Sequence, residues 1–202
     1  AAARALQASY RRHFRPLGRG SILTVCLMVV CICCYILINM GFKRYLLVYL
    51  TMFAPRGLPA MLITEPWRLV TPIFLHFSLL HIAFNMYWLY CLGSLIEKQD
   101  RVGCYVVLLL LSAVVSNLAQ WYMTGPLFGG MSGVVYALFA YIWISAKFNP
   151  MSGYWISQDI VLLMLAWLVL CFTGWVGPIG NYAHLAGLLC GAAFAGLRTC
   201  CR

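Results

Sequence analysis

Ser132, His184, His81 and Asn85 stand inside strongly apolar runs, where polar side chains are costly. Ser132 lies in the stretch FGGMSGVVYAL, residues 128–138. A serine hydroxyl becomes a useful nucleophile when a base within about 2.6–3.2 Å takes its proton. His184 is the base candidate, because an imidazole accepts and returns a proton near neutral pH. Each residue also has an ordinary reading. Ser132 would be a helix N-cap, His184 a satisfied core histidine, and the i, i+4 pair His81–Asn85 interhelical hydrogen-bond glue. What separates the readings is whether all four lie at one depth.

The elements that must position them are membrane spans. The 202-residue chain is 64% hydrophobic and 9% charged, with a mean hydropathy of +0.89; soluble domains are about 25% charged. Six apolar segments are expected, at 21–40, 77–96, 102–123, 132–145, 160–175 and 182–197. The connection 41–68 is too apolar for a free linker and is broken by Pro55, Gly57, Pro59 and Pro66, so it reads as short helices lying in the membrane interface. Residues 1–20 form a basic segment without the apolar stretch of a secretory leader, and 198–202 a short tail. Ten of the fourteen Lys and Arg fall on the side of the two termini. Both termini are therefore expected in the cytoplasm, with the connections before Ser132 and His184 outside.

The short fourth segment fixes a depth. Fourteen residues make roughly 20 Å of helix, against a hydrocarbon core of about 30 Å. With Lys147 at the cytoplasmic face, Ser132 lies roughly 8–10 Å below the outer surface, and the TGPLFGG before it dips in as irregular backbone beside water. His81, Asn85 and His184 fall at comparable depth. A small-residue ridge, Ala183, Gly187, Gly191 and Ala195, faces a matching pair, Gly133 and Ala137, so the two helices can approach closely enough for Ser132 to meet His184.

A third, orienting group is missing. The chain has four carboxylates, and Glu65, Glu97, Asp100 and Asp159 all lie at span ends or in the first connection. A Ser–His dyad is expected, with Tyr136, one turn after Ser132, supporting the ring. Oxyanion donors would come from backbone N–H groups at the head of the fourth segment and from His81 and Asn85. Gly129 and Gly130 permit unusual backbone and close substrate approach. Residue 134 is Val, so GMSGV is not the G-x-S-x-G elbow of soluble hydrolases.

Other classes fit less well. The net charge of +10 follows span ends rather than a nucleic-acid-binding face. The ten cysteines lie mostly in apolar runs without zinc-ligand spacing, so no metal is expected. A transporter with paired broken helices would show an internal repeat, and the halves show none. A haem or metal carrier using His76, His81 and His184 would need better-matched helix faces.

The motifs GMSGVVY at 130–136, AHLAGLLCG at 183–191, His81-Ile-Ala-Phe-Asn85 and Trp67-Arg68 together resemble the rhomboid intramembrane serine proteases, over about residues 60–197. The resemblance implies an all-α membrane protein: a six-transmembrane-helix rhomboid bundle over 21–197, with a short central fourth helix and a membrane-embedded first outer loop. It implies Ser132 as nucleophile, His184 as general base and acid, and His81, Asn85 and the Ser132 N–H around the oxyanion. Tyr136 would stack on His184, supported by Gly130 and Gly133. Ser112, Ser116 and Gln120 would supply water; some bacterial relatives add a histidine where this chain has Pro72. Trp167 and Phe84 would be contacts of a lateral gate on the fifth span. No cofactor is implied. The partners would be transmembrane protein substrates and lipid, in a bacterial inner membrane, with the site opening outward. A catalytically silent rhomboid-like binder of transmembrane clients is the alternative, although such proteins usually lack the serine or the histidine.

Overall fold

The computed structural model describes residues 21–55, 57–175 and 180–200, with Thr199 and Cys200 as backbone alone. The basic segment 1–20 and residues 201–202 lie outside the described residues. Among the described residues all regular structure is helical.

Helix α1, Ile22–Leu37, is apolar throughout. A helix start leaves its first N–H groups without intrahelical partners. Glu97, distant in the chain, meets them: its two carboxylate oxygens accept from the Leu23 and Thr24 amides at 2.8 Å each, and from the Thr24 hydroxyl at 2.6 Å. Because the Thr24 hydroxyl spends its one proton on Glu97, Tyr105 must donate to the Thr24 oxygen across their 3.0 Å contact. A π turn, Ile38–Phe42, ends the apolar run, and Gly41 takes a φ of 99° there. Helix α2, Lys43–Leu50, follows.

The connection then forms α3, Leu58–Thr64, and two 3-10 turns, Pro66–Leu69 and Thr71–Phe74. Each has a proline at its start, where a missing N–H costs nothing. Arg68 is buried and holds this region together. Its Nε and Nη2 donate to Glu65 at 2.9 and 3.0 Å, and its Nη1 donates to the Thr51 carbonyl at 2.8 Å. Met52, Met61 and Phe128 form a small core that ties the connection to the stretch before Ser132.

Helix α4, Leu79–Trp88, is capped by Ser78 and passes through a π turn, Leu89–Gly93, into α5, Ser94–Gln99. Three longer helices and one shorter one complete the bundle: α6, Val102–Thr124; α7, Ser132–Phe148; α8, Gln158–Phe172; and α9, Asn181–Cys200. Helix α7 is the central rod, buried along most of its length, and its most extensive packing is against α9. It runs three residues past the expected end at 145, because Lys147 in its last turn suits the negative end of the helix dipole. The rise from Ser132 to Lys147 is then about 22 Å.

Ile22–Leu50, Leu79–Gln99 and Val102–Thr124 are long and apolar enough to cross a membrane; α7 and α8 are shorter apolar helices. Large apolar side chains point outward along the bundle, among them Ile22, Leu80, Leu162 and Val169. Such a surface is stable in lipid and a liability in water. The described residues form an all-helical bundle with the surface of an integral membrane protein.

Candidate active site

Ser132 is the first residue of α7. It does not cap the helix: the N-cap position belongs to Met131, and no side-chain cap bond is made. The hydroxyl points across the bundle instead, with Oγ 2.7 Å from Nε2 of His184 on α9. That is the distance at which an imidazole could take a proton from a hydroxyl.

The approach of the two helices follows from small residues. A Cβ on Gly187 would collide with the Gly133 carbonyl, and one on Gly191 with the Ala137 carbonyl. A Cβ on Gly133 would itself lie 2.6 Å from the Ser116 side chain and 3.1 Å from the Ala183 carbonyl. Helices α7 and α9 thus meet with backbone nearly in contact beside the Ser132–His184 pair, and the Ser116 side chain of α6 closes on the same point.

The His184 ring is buried and lies against Tyr136, with ring centroids 4.9 Å apart and planes tilted by 32°. Tyr136 is anchored by its hydroxyl, which donates to the Met164 carbonyl on α8 at 3.0 Å. Nδ1 of His184 has no hydrogen-bond partner among the described residues. The recorded bonds of three carboxylates lie elsewhere: Glu65 holds Arg68, Glu97 caps α1, and Asp100 binds Tyr141 and Arg198. Asp159 sits in the first turn of α8.

His81 reaches the same place from α4. A Cβ on Gly130 would lie 2.6 Å from His81 Nε2 and 3.8 Å from Ser132 Oγ. Gly130 also has a φ of 131°, a conformation that residues with a side chain rarely adopt. Position 130 therefore requires glycine twice, for its backbone and for its space. Asn85 is buried one turn beyond His81, and its Nδ2 donates to the His81 carbonyl at 2.9 Å, which leaves the second amide hydrogen for another acceptor.

The serine stripe on α6 divides. Ser116 lies against Gly133, and its hydroxyl has no partner among the described residues. Gln120 accepts from the Ala183 amide at 3.0 Å and donates to Thr124 at 2.8 Å, so it holds the start of α9 one residue before His184. The Ser112 hydroxyl donates to the Leu109 carbonyl of its own helix. Phe84 on α4 and Trp167 on α8 meet at 5.2 Å between centroids.

His76 has no place among the residues that the sequence assigns to this site. It is fully buried, and its Nε2 lies 3.4 Å from the Met131 amide. The available signal was a histidine in apolar surroundings, in a chain with only four.

This serine–histidine contact between close-packed helices lies within residues 63–199, which match the Rhomboid domain, and the chain belongs to the rhomboid family. It is 37% identical over 179 residues to the rhomboid proteases GlpG of Salmonella paratyphi A, Salmonella choleraesuis and Salmonella newport. Those matches cover 88% of this chain and 63% of each relative's length.

Proposed function

We propose that this chain is an intramembrane serine endopeptidase that hydrolyses peptide bonds in or next to transmembrane segments of other membrane proteins. The observation that carries the reading is the 2.7 Å contact between Ser132 Oγ and His184 Nε2, at the small-residue crossing of α7 and α9. Kinship to proteins named rhomboid protease supports it.

In this reading His184 Nε2 takes the Ser132 proton as Oγ bonds to the scissile carbonyl carbon. The carbonyl oxygen becomes an oxyanion that the Ser132 amide, His81 and Asn85 would stabilise by donating to it. Its collapse breaks the C–N bond, and the amine leaves with the proton held on His184. Water then gives a proton to His184 and its oxygen to the acyl carbon; the C–Oγ bond breaks, His184 returns the proton to Oγ, and the acid is released with Ser132 restored. Tyr136 keeps the ring in plane, and Ser112, Ser116 and Gln120 line the supply of water. Phe84 and Trp167 form the contact that a substrate helix would part between α4 and α8.

The bundle over 21–197 is read as six spans with both termini cytoplasmic, in a bacterial inner membrane. The site opens to the outer side, and its partners are transmembrane substrates and surrounding lipid. The test is cleavage of a transmembrane reporter by purified protein in detergent, with labelling by a fluorophosphonate. Ser132→Ala and His184→Ala are expected to lose more than about 10³-fold in rate with the fold retained. Labelling or cleavage that persists in Ser132→Ala would overturn the assignment.

A further inference from the structure

His76 lies between the 3-10 turn Thr71–Phe74 and α4, fully buried, with its ring 4.9 Å from that of His81. Its two ring nitrogens have partners of opposite kind. Nδ1 lies 3.3 Å from the Phe74 carbonyl, which can only accept, so Nδ1 carries the proton. Nε2 lies 3.4 Å from the Met131 amide, which can only donate, so Nε2 offers its lone pair. The two contacts select the same neutral tautomer independently. A protonated ring would set an N–H against the Met131 N–H.

The backbone that Nε2 holds leads directly into Ser132. The preceding amide, that of Gly130, donates to the Pro72 carbonyl at 3.1 Å. A Cβ on Gly129 would press on Leu75, 2.6 Å away. Residues 129–131 are thus docked on residues 72–76 by two successive amides and one close contact. Met131 is fully buried, and Ser132 starts α7 immediately after it.

We propose that His76, as its Nδ1–H tautomer, is a positioning residue for the Ser132 site: by accepting the Met131 amide it sets the Ser132 hydroxyl and amide against His184 and His81. This rests on the protease reading above. His76 acts through Met131 and touches no reacting atom.

Two substitutions separate acceptor from filler. His76→Gln places an amide oxygen at about the reach of Nε2, whereas His76→Leu fills the space and leaves the Met131 amide without an acceptor. With the full chain in detergent and a transmembrane reporter, His76→Leu is expected to lose about 10–100-fold in kcat, with KM within about twofold. Its fluorophosphonate labelling of Ser132 should slow in parallel, and His76→Gln should recover to within a few-fold of wild type. Equal rates for the two variants would overturn the proposal. A second readout needs neither activity nor a variant: ¹⁵N NMR of histidine-labelled wild type at pH 7 should show His76 with protonated Nδ1 and bare Nε2. An imidazolium or the opposite tautomer would overturn the proposal as well. Wild type that neither cuts nor labels would defeat the protease reading, while the NMR result would still decide the placement of His76.

Discussion

Helices α7 and α9 are pinned together at both ends by chemistry of opposite kinds. At one end the Ser132 hydroxyl meets the His184 imidazole, with no charged side chain bonded to either among the described residues. At the other, Tyr141 on α7 donates to Asp100 at 2.6 Å, and Arg198 on α9 donates to Asp100 at 2.7 Å and to the Tyr141 oxygen. That second cluster satisfies a buried carboxylate with a phenol and a guanidinium. At the first, Nδ1 of His184 and the Ser116 hydroxyl have no partners among the described residues. Charge serves to hold the far end, while the site end is held by shape. A site that transfers a proton, as proposed above, gains from bonds that can be exchanged, and its geometry then has to come from close packing.

Gly187→Ala should break that arrangement most severely. The new Cβ meets the Gly133 carbonyl, so the helices must separate where Ser132 faces His184. Loss of about 100-fold or more in fluorophosphonate labelling is expected, since a displacement near 1 Å has that effect. Destabilisation of about 1–3 kcal/mol should accompany it. Gly196 on the same helix is the control, because a Cβ there meets nothing within 4 Å. Gly196→Ala should be neutral or stabilising by up to about 1 kcal/mol in thermal denaturation. Equal behaviour of the two variants would refute packing as the source of the site geometry.

Arg198→Gln attacks the other end. It leaves the Asp100 carboxylate, with its side chain 7% exposed, dependent on Tyr141 alone. A loss of about 1–3 kcal/mol is expected, less than for a fully buried pair because the Arg198 side chain is 26% exposed. Asp100→Asn in the same chain should return part of it, as a double-mutant cycle would show. Labelling of Ser132 should change only a few-fold. A loss as large as that of Gly187→Ala would mean that the ionic end, too, sets the distance at the serine.

The contrast between the ends also explains what could be read in advance. The all-helical membrane class is a matter of composition, and the α7–α9 crossing is written in a four-residue period of small side chains, a local and regular signal. Ser132 has the residue type of a cap, but that same ridge sets it against His184, and its hydroxyl bonds there across 52 positions of chain. Glu97 looked like a span terminus, and its closing of α1 spans more than 70 positions. His76 reaches Met131 across 55. The bonds of Glu97 and His76 have no period, and nothing in the neighbouring residues announces them. A basic residue near a span end reads as a stop at 145, whereas in the last turn Lys147 favours the helix, which runs on to Phe148.

A smaller effect is expected where the site is braced from the side. Tyr136 has a ring against His184 and a hydroxyl on the Met164 carbonyl, and Tyr136→Phe removes only the second. Stability should fall by about 0.5–1.5 kcal/mol, while labelling of Ser132 stays within a few-fold. A drop in labelling as deep as that of Gly187→Ala would show that the ring needs its α8 anchor.

The least effect should come from Glu65 with Arg68, among the described residues the one charged pair in the first connection. Hydrogen bonds from Arg68 hold the Glu65 carboxyl below its usual range, against a smaller opposing push from burial. A carboxylate with a lowered folded-state value contributes stability above its unfolded value, about 4.3 for glutamate. That contribution fades as pH falls below it and is gone once the folded-state carboxylate is protonated. Wild type should therefore melt slightly above Glu65→Gln at neutral pH, and the gap should close as the medium is taken well below pH 4. The pair is exposed on its Glu65 side, so added salt should shrink the gap as well. A gap that ignores both pH and salt would assign the hold on this connection to the Arg68 bond with the Thr51 carbonyl. The first connection would then rely on a neutral acceptor even where it keeps a charge.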